Sequence, residues 1–434
     1  MAKVPRQHSK VETSSSSHPE ALRFRVSRGV VLLLVVLPAV LIFGAGFAGF
    51  WLGNHPNPVG TSSITSVVKT NFSPALRVGP WGVLEAQPSF LQIPDECLHD
   101  ISSVRPPRWV FKGYSKQRVL ALFTSAGLDD ADLQSLADSS LWQVQAGQTL
   151  LIPPRSLILG LSPTERSIIY TVLAQFPENA WQHSPFFWKT KDETEFFSQN
   201  TFTEPVKTML RQFSYQKGNL SVFADWETFA PILSMSEPEL VKLAKVLSGK
   251  PMVIAKLHLT PETDLDSMMR YWGVAGLTKT MQPALEAVTR IPQGRAVTML
   301  AILPPFARER LNTYSGTTND NDGQDGFWTT FNFFNDKPEA SGTTPAMWSR
   351  RLITDYFNVF ADPRYGDILV ISRPSGEVIQ TAVYLADDLV FTRLGPTRWE
   401  PWAVMSVADL LEISAIRLAH QEIPNVSYYR NRVL

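Results

Sequence analysis

The chain has 434 residues with 40 basic and 40 acidic side chains, so its formal net charge is zero. That length suits two or three domains at ~100–200 residues each, and the balanced charge excludes the broad basic surface of a dedicated nucleic-acid binder. Apolar residues make up 44% and aromatics 11%, which excludes a mainly disordered chain, and the single cysteine, Cys97, excludes an intramolecular disulfide and a Cys-rich zinc site. Residues 1–28 are Ser-rich and basic and read as a disordered cytoplasmic tail. Residues 29–53 then run without a charge over a length that suits the ~20 residues needed to cross a bilayer. Lys3, Arg6, Lys10, Arg23, Arg25 and Arg28 precede the run, against Glu12 and Glu20. The pattern predicts an uncleaved single-pass transmembrane helix, N-terminus in the cytoplasm and the bulk of the chain outside it. A cleaved signal peptide is the rival reading, disfavoured by the length of the run and its long polar leader. Ala45, Gly49 and Gly53 form a small-xxx-small stripe that could pair two such helices into a homodimer.

Residues 54–80 carry Pro, Ser and Thr without helical periodicity, and 54–103 as a whole reads as an extracytoplasmic linker. Within it Cys97 and His99 stand two apart, a spacing that does not bring side chains together on a helix, so Cys97 reads as a packing residue. The segment 104–312 reads as mainly helical. Ser162-Pro163-Thr164-Glu165 and Ser236-Glu237-Pro238-Glu239 have the form of capping boxes, each followed by an apolar stripe. Thr260-Pro261-Glu262 suggests a third start, and 277–290 a helix bent at Pro283. Strand-like runs interrupt these helices at 252–257 and 296–303. The stretch 120–154, ending AGQTLLIPP, resembles the close of a LysM carbohydrate-binding module, with a helical pair followed by a short strand as the plainer reading. Glu195, Glu204, Asp225 and Glu227 lie near aromatic residues, where a glycosidase-type carboxylate pair is weighed against ordinary solvated charges.

The C-terminal region, 313–434, opens with a loop of turn-formers. Its Asp320, Asp322 and Asp325 lack the spacing of an EF-hand, since Thr318 and Thr329 stand where ligands belong. Helices near 327 and over 347–360 follow, then β runs at 367–372, 378–385, 389–393, 402–405 and 426–430. Here Tyr365-Gly366-Asp367-Ile368-Leu369-Val370 and the run from Gly376-Glu377-Val378 through Tyr384-Leu385-Ala386-Asp387-Asp388 resemble the core of NlpC-type papain-like cell-wall peptidases. The resemblance implies a fold with a nucleophilic cysteine at a helix start, a histidine on a strand and a third polar residue, acting on peptidoglycan stems. Those positions here hold Gly326, Gln380 and Thr392. Glycine has nothing to attack with and an amide cannot shuttle protons, so catalysis of this kind is not expected. Asp325, Trp328, Thr329, Tyr384 and Asp388 are the residues expected to line the degenerate cleft.

Phosphate-binding glycine loops and HExxH spacing are absent from the sequence, so neither cofactor nor metal is expected. The combined expectation is an α+β chain: transmembrane helix, mainly helical middle, and a C-terminal papain-like domain of helices and antiparallel sheet. Functionally it reads as a membrane-anchored envelope protein whose NlpC-like domain binds peptidoglycan peptides or a protein partner without cutting them. The rivals are a hydrolase with a non-standard site, using Thr329, Thr330, Gln380 or Asp388, and a purely structural scaffold.

Overall fold

The computed structural model describes residues 75–98, 101, 105–200, 202–233, 235–315, 323–340, 345–419 and 422–434. The chain opens with a hairpin of β1 (Ala75–Gly79) and β2 (Gly82–Leu91), whose turn uses a left-handed Gly82 at φ +95°. β3 (Trp109–Lys112) leads into α1 (Lys116–Ala126) and α2 (Asp130–Ser135), followed by β4 (Trp142–Gln145) and β5 (Gln148–Leu151). α3 (Pro163–Leu173) starts at the expected capping box, where Ser162 N donates to Glu165 Oε2 at 2.7 Å and Glu165 N donates to Ser162 Oγ at 3.3 Å. Next come α4 (Ala180–His183), β6 (Phe186–Lys189), β7 (Tyr215–Lys217) and β8 (Leu220–Phe223). α5 (Glu237–Leu247) starts at the second expected box, on Ser236, and precedes β9 (Lys250–Leu259), α6 (Thr278–Thr289) and β10 (Arg295–Thr298). The C-terminal part contains α7 (Gly326–Asn332), α8 (Pro345–Asp355), β11 (Tyr356–Val359), β12 (Ile368–Ser372), β13 (Val378–Ala386), β14 (Leu389–Arg393), β15 (Trp402–Ser406), α9 (Val407–Ser414) and β16 (Asn425–Asn431).

The strands pair antiparallel in four sheets: β11-β16-β12-β13-β14-β15, β1-β2-β9-β10, β3-β5-β4 and β6-β8-β7. β2 runs along all of β9, with Leu84 opposite Leu257 and Leu91 opposite Lys250. The inner face of that four-stranded sheet (Leu84, Ala86, Val253, Ala255, Leu257) shares one apolar core with α7 and one face of the six-stranded sheet (Ile368, Val370, Val383, Phe391, Val404). This core therefore draws on residues from both sides of position 312. α9 covers the opposite face of the six-stranded sheet, over Leu369, Ile371, Tyr384 and Val390. The β6-β8-β7 sheet is buried on both faces. Phe187, Tyr215 and Val222 point to a core shared with α1 and α3, while Phe186, Trp188 and Phe223 point to a second core containing α5.

This architecture corrects the expected fold class. Strands and helices interleave through the described chain as a mixed α/β arrangement, rather than as a transmembrane helix, a mainly helical middle and a separate papain-like domain. No helix among the described residues is long and apolar enough to cross a membrane. Residues 1–28 and 29–53, with Ala45, Gly49 and Gly53, lie outside the described residues. The middle is not built of helices alone: its helices outweigh its strands, but three of the four sheets draw their strands from it or from the segment just before it. Phe186-Phe187-Trp188 is a strand without apolar–polar alternation, since both its faces are covered, and so lacks the period-2 signal. Part of the expected linker, 75–91, is likewise the β1–β2 hairpin. The helix expected over 347–360 stops at Asp355, and the chain continues as β11. The start expected at Thr260 is a turn, and the helix begins at Leu265 with Asp264 as its cap.

Candidate functional site

α7 begins at Asp325, whose Oδ1 accepts from Trp328 N at 2.9 Å, so the aspartate caps the helix. Gly326 is the first helical residue, and the helix lies against β13 and β14. A Cβ at position 326 would stand 2.8 Å from Gln380 Oε1 and 2.9 Å from Thr381 O, closer than such contacts allow. Gln380 Nε2 donates to Arg393 O at 2.9 Å and reaches Thr392 Oγ1 at 3.4 Å. The Thr392 hydroxyl donates to Thr381 O at 2.7 Å. The fold thus brings Gly326, Gln380 and Thr392 together, as a glycine, an amide and a hydroxyl. All three are buried, Gln380 at 5% exposure and Thr392 at 0%. With no titrating group among them, the cluster holds neither a nucleophile activated by a base nor a proton carrier.

Neighbouring groups seal the site. Thr330 Oγ1 donates to Gly326 O at 2.7 Å, and Thr329 Oγ1 accepts from Trp402 Nε1 at 2.9 Å. Trp328 is 3% exposed and Thr329 is 0% exposed, so neither lines an open cleft. Sequence reasoning missed Arg393. Its fully buried guanidinium donates to Gln324 O at 2.7 Å, Thr397 O at 2.9 Å and Glu400 O at 3.1 Å, and lies 4.4 Å from the Trp402 ring. It ties the segment before α7 to the β14–β15 connection. The signal available in the sequence was an arginine at the end of an otherwise apolar strand, LVFTR.

Tyr384 and Asp388 lie apart from this cluster. Tyr384 is four residues along β13 from Gln380, about 13 Å at the usual rise per strand residue. Its hydroxyl donates to Asp387 O at 2.7 Å, and burial raises its pKa above the ordinary phenol value. Asp387 and Asp388 both pair with Arg77 of β1. Burial raises the Asp388 pKa, outweighing the opposing pull of Arg77.

The remaining carboxylates resolve differently from one another. Asp225 accepts from Arg166 Nε at 2.8 Å and from the Tyr170 hydroxyl, fully buried. Arg166 also donates to Leu161 O at 2.8 Å and Ile158 O at 2.6 Å, so the cluster is saturated from within. Burial lifts Glu227 to about 7 against the lowering effect of a bond from the Trp181 side chain. Glu204, on the Glu204–Phe213 helix, is exposed and pairs with Lys207. Glu195 is exposed as well. Cys97 is half-buried against the second core, which pushes its thiol pKa up, and His99 lies outside the described residues. No group of three His, Cys, Asp or Glu among the described residues could hold a metal ion.

The stretch that resembles the close of a LysM module does have an opening strand. β3, just upstream, pairs with β5, Trp109 opposite Leu151 and Lys112 opposite Gln148, with α1 and α2 between them. Trp109 and Phe111 point into the core under α1. At one end of this unit Gly113 N donates to Gly147 O at 2.8 Å and Thr149 Oγ1 donates to Tyr114 O at 2.6 Å. There the half-exposed Tyr114 ring carries the Arg118 guanidinium 4.0 Å from its centre, beside exposed Gly113 and Gly147. No family model, no curated protein and no solved structure matches the chain.

Proposed function

We propose that this chain is a non-catalytic cell-envelope protein, related to NlpC-type peptidases in its C-terminal region, that binds peptidoglycan. The observation that carries this reading is the content of the converged site: Gly326, Gln380 and Thr392 stand together, buried, with no group that can attack or move a proton. Their burial argues against a stem peptide held at that place. The surface better suited to the wall is the end of the β3–α1–α2–β5 unit, where Arg118 lies over the half-exposed Tyr114 ring beside exposed Gly113 and Gly147 and offers polar donors to a sugar. The charge-free run at 29–53 supports a location at the membrane, with the residues after it outside the cytoplasm.

The test incubates the full-length protein with intact sacculi and reads both phases. The protein is expected to sediment with the sacculi and to release no more soluble muropeptide than a boiled control. Arg118→Ala, which removes an exposed side chain and should leave the melting temperature unchanged, is expected to weaken sedimentation about tenfold, the effect of losing roughly 1.4 kcal/mol of contact. Muropeptide release would overturn the non-catalytic reading. Failure to sediment would overturn the peptidoglycan reading in favour of a protein partner.

A further inference from the structure

A small cavity of about 20 Å³ lies where α4, the start of β9, the β14–β15 connection and the turn after α9 meet, lined among others by His183, Lys250, Glu400 and Arg417. That volume suits a single water-sized occupant. Lys250 is 6% exposed, and its ammonium has no hydrogen-bond acceptor among the described residues, only the Phe187 ring at 4.6 Å. An ammonium has three donors and no acceptor, and leaving it unmatched in a low-dielectric interior is costly. Glu400 does not supply the match. Its Oε1 accepts from Ser184 Oγ at 2.9 Å, and its Oε2 accepts from Thr397 N at 3.1 Å and Thr397 Oγ1 at 2.8 Å. Arg417 approaches Oε1 at a long 3.5 Å. His183 Nδ1 bonds the Ala174 carbonyl at 2.8 Å, which requires the proton on that nitrogen, and burial holds the ring neutral at ordinary pH with a pKa of about 4. Two cations therefore face one carboxylate whose oxygens are already in use, and one positive charge stays uncompensated. Burial lowers Lys250 to about 8, which still leaves it charged at neutral pH.

From this balance we propose that the cavity is a binding site for one small monovalent anion of the halide type, held by Lys250 and Arg417. Pro185, Phe187, Leu394 and Ile416 complete the walls, a lining that suits a weakly hydrated halide better than a strongly hydrated oxyanion. The anion would join the start of β9 to the turn after α9.

The experiment melts the full-length protein in sodium bromide and in sodium gluconate at matched ionic strength, gluconate being too large to enter. Bromide is expected to raise Tm by about 3 °C over gluconate once it is well above its Kd. Lys250→Met should abolish that difference, and Arg417→Gln serves as the second variant if Lys250→Met does not fold. Equal midpoints in the two salts, or a bromide effect that survives both substitutions, would overturn the proposal. Crystals soaked in bromide provide a direct check, since an anomalous peak beside Lys250 Nζ supports the site and an ordered water there without one refutes it.

Discussion

Two of the polar clusters buried among the described residues are built on opposite terms. Around Asp225 a carboxylate, a guanidinium and a phenol are sunk together, the arginine spread over the aspartate and two backbone carbonyls. Around Gly326 an amide and a hydroxyl share carbonyls on β13 and β14, and neither of those two side chains is charged. The charged cluster has ionisable groups but no access, and it holds α3 to the segment after β8. The neutral one stands at a helix start, and Gly326, Gln380 and Thr392 bring no ionisable group to it. A buried titratable group is thus no better a guide to function than position alone; the two have to coincide.

Substitutions can break this contrast, beginning with the largest expected effect. Asp225→Ala strands the Arg166 charge in the interior and should cost ~3–5 kcal/mol of stability, read as a lowered denaturation midpoint. A midpoint within error of the wild type would mean that Arg166 finds other partners.

Acid should act on the cluster at the cavity before it acts on the neutral site. His183 is held at about 4, below its ordinary 6.5, chiefly by burial and next by Arg417, against Glu400 and Glu178. The unfolded chain therefore takes up this proton first as pH falls, and stability is lost between about 6.5 and 4. The loss amounts to about 3 kcal/mol. His183→Gln should flatten that part of the stability–pH curve; an unchanged slope would assign it to other groups.

At the neutral site, Gly326→Ala drives a methyl group into Gln380 Oε1 and Thr381 O and should cost ~1–3 kcal/mol. Gln380→Ala in the same chain removes one of the two clashes, so a double-mutant cycle should show coupling above ~0.5 kcal/mol. Additive effects would mean that the Thr381 carbonyl alone sets the penalty. Thr392→Val, which loses the bond to Thr381 O, is the mildest at about 1 kcal/mol, measured by chemical denaturation.

The difference between the clusters also tracks what the sequence made visible. α3 and α5 were legible because a capping box is local chemistry, written in four consecutive residues. β12, β13, β14, β15 and β16 were legible from apolar and β-branched runs bounded by turns. Gly326, Gln380 and Thr392 were found because the resemblance fixed their spacing, not because any of them signals a site. What escaped was non-local. β1 and β2 sit in a stretch with linker composition; they pair with each other, and β2 pairs with β9, which follows α5. β3 is four residues long and gains its meaning from β5. Arg393 escaped because only the folded connection after β14 brings three carbonyls to one guanidinium.

The fit between Gly326 and Gln380 also bears on which neighbouring sequences this protein can reach. While the glutamine stays, any side chain at 326 collides with it. The two positions behave as a latch: a side chain at 326 meets Gln380 Oε1 and Thr381 O unless its surroundings shift with it.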